Sequence, residues 1–415
     1  MKMTLHYECG FSKVLLLLLG LSMSVEAEAQ LRVPPHRFDC RELGYPFFNQ
    51  IPADGSYITS LTLGPDGRIY GATSGFRPYF FVFSDETDQV KPLGYLPDGE
   101  GVHHSLVTDK KGSVYLGTGK NVIIPFAIRK PTGGGLNNVS EDLWRQVQDQ
   151  YRNYAGGHLY RYDPAKEMKV GTAVKPANVE DLGIPVAGDG IYCLTIDPER
   201  DVIYGVSYPH AHFFLYDLNT RTTKDKGPLF RDVLFGGPDL RTVRTLPRNL
   251  AVDKAGFVYA STDGGRLVRY GPQKQDLEIL DVRIPGEFMQ VVEVWVASGD
   301  VLYGGTSEGF LFRFDPNTGR VDNLGKPMVR QRVRGLTLAK DGRVIGVGGD
   351  RDQVNLLFTY DPRAGSFQIL GSVEVDRSPY YAWQAHQFDA MVTSRDGTIF
   401  LGESDRRGHL FLYIP

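Results

Sequence analysis

One pattern recurs seven times along the chain and leaves few folds open to it. A short apolar run, a tight turn and a second apolar run read SLTLGPDGRIYG (60–71), SLVTDKKGSVYLG (105–117), CLTIDPERDVIYG (193–205), NLAVDKAGFVYA (249–260), EVWVASGDVLYG (293–304), GLTLAKDGRVIG (335–346) and AMVTSRDGTIFLG (390–402). A third run follows each pair, beginning at Phe80, Leu159, Phe213, Leu267, Leu311, Leu357 and Leu410. Where a fourth run is clearest it ends in Leu-Gly, as at Leu93-Gly94, Leu182-Gly183, Leu324-Gly325 and Leu370-Gly371. Runs of this length, rich in Val, Leu, Phe and Tyr and bounded by Gly, Pro, Asn and Asp, are strands joined by hairpins. A lone four-stranded meander leaves an apolar face exposed, and a neighbouring copy covers it. Seven copies therefore predict an all-β, seven-bladed β-propeller.

The last copy stops at Pro415, one strand short. The segment RFDCRELG (37–44) carries the Leu-Gly ending and precedes the first full copy. Pairing it with the last blade closes the ring and removes two open sheet edges. Ahead of it, Lys2 and Lys13 precede the apolar run Val14 to Leu21, and Ala27-Glu28-Ala29 supplies a small-x-small cleavage pattern. These residues read as a signal peptide over 1–29, followed by one propeller domain over 30–415 and a secreted or periplasmic location. The apolar run is too short to span a bilayer, so no membrane span is expected. The formal net charge of −3 argues against a nucleic-acid partner. Past the signal peptide only Cys40 and Cys193 remain, and their apolar strand contexts read as buried thiols. The period is broken once, by an insertion over about 120–157. There Ser140 is a good N-cap and Leu143, Val147 and Tyr151 share one face of an expected short helix.

In a propeller the first strand of each blade lines the central channel. The residues immediately before the seven copies are Thr59, His104, Tyr192, Arg248, Val292, Arg334 and Asp389. Packing alone would not select an imidazole, a phenol, two guanidiniums and a carboxylate for one ring. Loops on the same face add Tyr208, His210, His212 and Arg406, and the run before the last blade adds Tyr381, Trp383 and His386. His104, Tyr192, Tyr208, His210 and Arg248 are the catalytic candidates. Arg334, Tyr381, Trp383, His386 and Arg406 are the substrate-binding candidates. His210 and His212 alternate, so they share a face if extended, and with His386 they are candidate ligands for a divalent cation. Arg248 and Arg334 can instead pair with Asp389.

Guanidinium matches carboxylate bidentately, His and Tyr move protons, and aromatic rings stack on sugar faces. Together these groups point to an anionic, uronic-acid-containing polysaccharide or oligosaccharide cleaved by β-elimination. The chain resembles the propeller-fold polysaccharide lyases, a group that includes oligogalacturonate lyases and ulvan lyases. The oligogalacturonate lyases carry a Gln-x-x-His-x-His pattern around a divalent metal, and Gln384-Ala385-His386-Gln387-Phe388 matches it in part. The ulvan lyases use His, Tyr and Arg without a catalytic metal, and His104, Tyr192 or Tyr208, and Arg248 are similar in kind. Two other readings stay open. One is a lactonase-like hydrolase with a cation near Asn249, Glu293 and Asp389. The other is a non-catalytic propeller that binds carbohydrate or protein.

Overall fold

The computed structural model describes residues 37–44, 47–121, 149–166, 172–229, 246–262, 264–287, 291–328, 332–349, 353–378, 381–384, 386–405 and 408–415. For 37, 47, 376–378 and 381–384 the backbone alone is described. The residues from Phe38 to Pro415 form one compact unit. The expected signal peptide, and Ser140, Leu143 and Val147 of the insertion, lie outside the described residues.

Seven four-stranded sheets form the blades, six of them with their strands in sequence order. Their inner strands are Tyr57–Leu63, Leu106–Thr108, Gly190–Asp197, Ala251–Val252, Val292–Ser298, Val333–Leu338 and Phe388–Thr393. The last blade is completed as expected: Arg37–Arg41 lies beside Leu410–Ile414 and closes the ring. This is a seven-bladed β-propeller. A two-stranded hairpin, Glu374–Ser378 with Tyr381–Gln384, is added between blades six and seven.

The recurring glycine of the second strand has a packing cause. Gly304 pairs with Phe312 and Gly346 with Phe358, and a Cβ at either glycine would run into the paired ring. The small residue lets a fully buried aromatic lie flat across the blade. Aspartates pin the first hairpin. Asp109 accepts from the backbone of Lys111 and Ser113 at 2.9 Å and from the Tyr115 hydroxyl at 3.0 Å. Asp253 does the same for Phe257 and Tyr259, both at 2.9 Å. The apolar core is divided among neighbouring blades. Tyr204 and Phe213 of blade three, for example, pack on Val258 and Tyr270 of blade four.

Cys40 and Cys193 are buried thiols in different blades, as their strand contexts predict. Of the expected insertion helix, 149–151 is helical, and Tyr151 is buried in the same core cluster as Tyr208. Among the described residues no helix is long and apolar enough to cross a membrane.

One irregularity shapes everything at the channel. The inner strands of blades one, three, five, six and seven are each bulged where they meet the second strand. The extra residues are Thr59, Tyr192, Glu293, Arg334 and Asp389. A bulge frees one side chain from the pleat and re-aims it. In blades two and four, His104 and Arg248 stand just ahead of shortened inner strands. The expectation of Val292 in blade five is therefore corrected: the ring residue is Glu293. In blade one Ser60 and Ile69 occupy the register positions that Val294 and Leu302 hold in blade five. The first hairpin of blade five is thus one residue shorter, so an alignment anchored on its second strand slips the first strand by one.

Candidate functional site

The bulge residues Thr59, Arg334 and Asp389 and their neighbours build the mouth of a cavity of about 320 Å³ between the inner strands. Thr59, His104, Arg248, Arg334 and Asp389 supply its polar end. Leu194, Leu250, Leu336 and Met391 supply apolar wall. The volume is close to the lower bound of about 300 Å³ for small-molecule pockets.

Arg248 is the centre of this mouth. Its Nε donates to Glu293 Oε2 at 3.3 Å, and its Nη1 donates to Asp389 Oδ1. The same Nη1 lies 3.4 Å from His104 Nε2. Arg334 donates through Nη2 to Asp389 Oδ1 and through Nε to the Phe388 carbonyl at 3.2 Å. Arg332 donates through Nη1 to Glu293 Oε1. These charges are shielded from water: the Arg334 side chain is 6% exposed and that of Glu293 3%. Buried charges are tolerated only when paired, and here they alternate in sign. Three guanidiniums face two carboxylates, which leaves one positive charge in excess.

Burial works against the charge of Asp389, but Arg334 and Arg248 hold its carboxyl well below the usual range. Burial likewise opposes the Arg248 charge, and Asp389 and Glu293 hold its guanidinium above its ordinary value. His104 responds in the other direction. Burial first, then the Arg248 charge, push its pKa well below the ordinary imidazole value, so the ring is neutral. Arg248 can only donate, so His104 Nε2 is the accepting nitrogen and carries a lone pair. The Tyr192 ring stands edge-on to His104 with centroids 5.4 Å apart. Burial pushes its phenol up to about 12, so it keeps its proton. His103 is turned away: its Nε2 donates to the Lys120 carbonyl at 2.8 Å.

The backbone at His104 is unusual. Its φ is 24°, in a region that side chains other than glycine seldom adopt. Its N donates to the Thr59 carbonyl at 3.2 Å and its carbonyl accepts from Leu194 N at 3.1 Å. Blades one and three thus hold the imidazole in place.

The other expected residues fall elsewhere. Tyr208 is 1% exposed and packs behind Tyr192, between that ring and Tyr151 at 6.3 and 5.5 Å. His210 lies at the end of blade three, where Nδ1 meets Asp189 Oδ1 at 2.5 Å. Asp189 is 3% exposed and also accepts from Ser207 Oγ at 2.5 Å and His210 N at 3.1 Å. Its hydrogen bond raises the His210 pKa. His212 turns to a different carboxylate, Asp225 Oδ2, at 2.8 Å. His386 is half-buried at the start of blade seven, where its carbonyl accepts from Asn355 N at 2.8 Å. Arg406 and the side chains of Tyr381 and Trp383 lie outside the described residues.

A shared metal site does not form from these groups. His210 and His212 are each engaged by a separate carboxylate. No cluster of three or more His, Cys, Asp or Glu suited to a metal ion occurs among the described residues. The described residues do not fit the divalent cation that the oligogalacturonate-lyase resemblance implies.

Sequence reasoning placed Glu293 only as a ligand in the lactonase-like alternative, not in the ring of the mouth, and it missed Arg332. A carboxylate inside the apolar run Val291-Val292-Glu293-Val294-Trp295-Val296 was the available signal. Arg332 had none, since its place depends on a left-handed backbone with φ 64°.

No family model matches the chain, and no curated protein matches it. Solved structures do. The chain is similar to the extracellular domain of the hybrid two-component system BT4673 of B. thetaiotaomicron, at 14% identity and a TM-score of 0.56, over 91% of this chain and 40% of that one. It therefore spans less than half of that extracellular domain. It is similar to the WD40 β-propeller domain of Doa1, at 10% identity and 0.53, over 90% and 97% of the two chains. It is also similar to virginiamycin B lyase from Staphylococcus aureus, at 10% identity and 0.60, over 92% and 100%. At such identities the likeness is one of fold, and the fold is the β-propeller.

Proposed function

We propose that the protein is an exported lyase that cleaves a uronic-acid-containing glycan by β-elimination at the channel mouth. The observation that carries this reading is the 3.4 Å separation of Arg248 Nη1 from His104 Nε2. In a uronate the acidic C5 proton is on the carbon that bears the carboxylate. A base beside a guanidinium matches that pairing of groups. The excess positive charge of the mouth favours the anionic ligand. The small cavity suits a terminal sugar residue, with the rest of the glycan outside.

In the proposed reaction Arg248 and Arg334 pair with the carboxylate and stabilise the charge that spreads into it. His104 Nε2, released by Arg248 Nη1 as the carboxylate binds, takes the C5 proton. The electron pair forms the C4–C5 double bond as the C4–O bond breaks, and the leaving oxygen takes a proton from Tyr192. The products are an unsaturated uronate and a shortened glycan. A similarly folded protein is, by its name, a lyase, which supports the reading by analogy of fold alone.

The test is absorbance of the unsaturated uronate during incubation with pectin, ulvan, alginate and glycosaminoglycan oligosaccharides. Absorbance is expected to rise with one of them and not with the His104→Gln variant. No rise with any substrate would sink the lyase reading. A second reading has its own observation: Asp389 already occupies both guanidiniums, so a ligand carboxylate must compete with it. On that reading the propeller binds anionic glycans without cleaving them, and calorimetry would show heat of binding with no product.

A further inference from the structure

The mouth contains two carboxylates, Glu293 and Asp389, that the proposed reaction leaves without a role. Resting on the reading of the mouth as a carboxylate-binding site, we propose that Glu293 is a positioning residue: with Asp389 it locks the Arg248 guanidinium so that Nη2 meets the ligand, with Nη1 beside His104 until the ligand binds.

Several observations converge on this role. Glu293 is the bulged residue of blade five, between Val292 and Val294, and is 2% exposed. It grips Arg248 twice: its carbonyl accepts from Arg248 N at 2.7 Å, and its Oε2 accepts from Arg248 Nε at 3.3 Å. Its other oxygen is held by Arg332 Nη1. Arg332 is itself fixed, donating its N to the Ser307 carbonyl at 3.0 Å and accepting from Gly349 N at 3.0 Å. The side chains form an alternating row, Arg332, Glu293, Arg248, Asp389, Arg334, with Arg248 at its centre. An arginine side chain is long and flexible, and ordering it on binding costs rotamer entropy. Carboxylates at Nε and at Nη1 fix the guanidinium plane before the ligand arrives. Nη2 makes no hydrogen bond among the described residues, and the side chain lines the cavity.

The test uses the fact that charge and position predict opposite signs. Glu293→Gln raises the positive excess of the mouth from one charge to two, so electrostatics alone would tighten binding of an anion. Positioning predicts that galacturonate, measured by calorimetry, binds about tenfold more weakly, the loss of one charge-assisted hydrogen bond. The double variant Glu293→Gln/Arg332→Gln restores the charge balance and removes the guanidinium that would be left without Glu293. It is expected to stay weakened by a similar factor, and recovery of wild-type affinity would overturn the proposal. Glu293→Asp keeps the charge but shortens the reach, and the same loss is expected if Glu293→Gln does not fold.

A second readout needs no ligand. When Arg248 leaves Nε2, the His104 titration followed by NMR moves up toward the ordinary imidazole value. An unchanged His104 titration in the double variant would overturn the positioning role. Wild-type protein that binds no uronate would overturn the ligand reading, and the His104 titration alone would then decide the role of Glu293.

Discussion

The channel mouth and the rim of blade three each hold a histidine beside a buried carboxylate, and the two sites behave oppositely. At the mouth, burial first and then the Arg248 guanidinium between His104 and Asp389 hold the imidazole neutral. At the rim, His210 touches Asp189 directly and its pKa rises. A neutral imidazole with a lone pair is a base. An imidazole backed by a carboxylate holds its proton longer. The residue types are nearly the same, and what separates the sites is the deeper burial of His104 and the guanidinium that lies between acid and imidazole.

The largest expected effect tests the mouth as a buried ion network. Asp389→Ala leaves Arg248 and Arg334 side by side without their shared anion, and should cost about 3–5 kcal/mol in urea unfolding. Asp189→Ala should cost less, about 1–3 kcal/mol, because His210 can give up its proton. Equal losses would mean that the two sites are not different in kind.

Activity should divide the two histidines next. On the proposed elimination, His104→Gln lowers the rate by about 10²–10⁴-fold with little change in melting temperature. His210→Gln should leave the rate near that of wild type. The reverse order would move the catalytic centre to the rim.

Stability against pH sharpens the contrast further. His210 has a raised folded pKa, so its stabilisation by Asp189 is fully present below the unfolded value near 6.5 and fades as pH rises through the folded value. The deficit of Asp189→Asn relative to wild type should therefore be larger at pH 5.5 than at pH 9. His104 has a depressed folded pKa, so the unfolded chain binds its proton first and wild type loses stability as pH falls below about 6.5. His104→Gln should gain on wild type between pH 7 and pH 5. Urea midpoints at these pH values check both slopes, and parallel curves would contradict the assigned protonation states. The smallest effect is expected at Tyr208. Tyr208→Phe should leave the elimination rate nearly unchanged, whereas Tyr192→Phe should slow it, since only Tyr192 stands at His104.

Much of this site was legible because the repeat assigns equivalent positions. His104, Tyr192, Arg248, Arg334 and Asp389 all precede their copies by the same offset, and the structure brings them to one end of the channel. Val292 stood in the ring in place of Glu293 because a hairpin one residue shorter shifts the register, and a shift of one turns a strand over. The partners of His210 and His212 escaped because Asp189 and Asp225 come from other strands and loops. The expected half-site for a metal assumed that alternation alone sets where two rings point, but their hydrogen bonds draw them to separate carboxylates.

The sequence by itself determined seven blades, the order of strands in each, and the closure of the last blade by residues 37–41. Those features follow from local patterns: short apolar runs, hairpin turns and a repeating period. Only the tertiary structure decided which charges meet. Arg248 finds Glu293 45 residues onward and Asp389 141 residues onward. Bulges on separate blades aim those side chains at one axis. Ionic pairing and the pKa values it sets depend on distances of a few ångströms across that axis, and no local pattern encodes them.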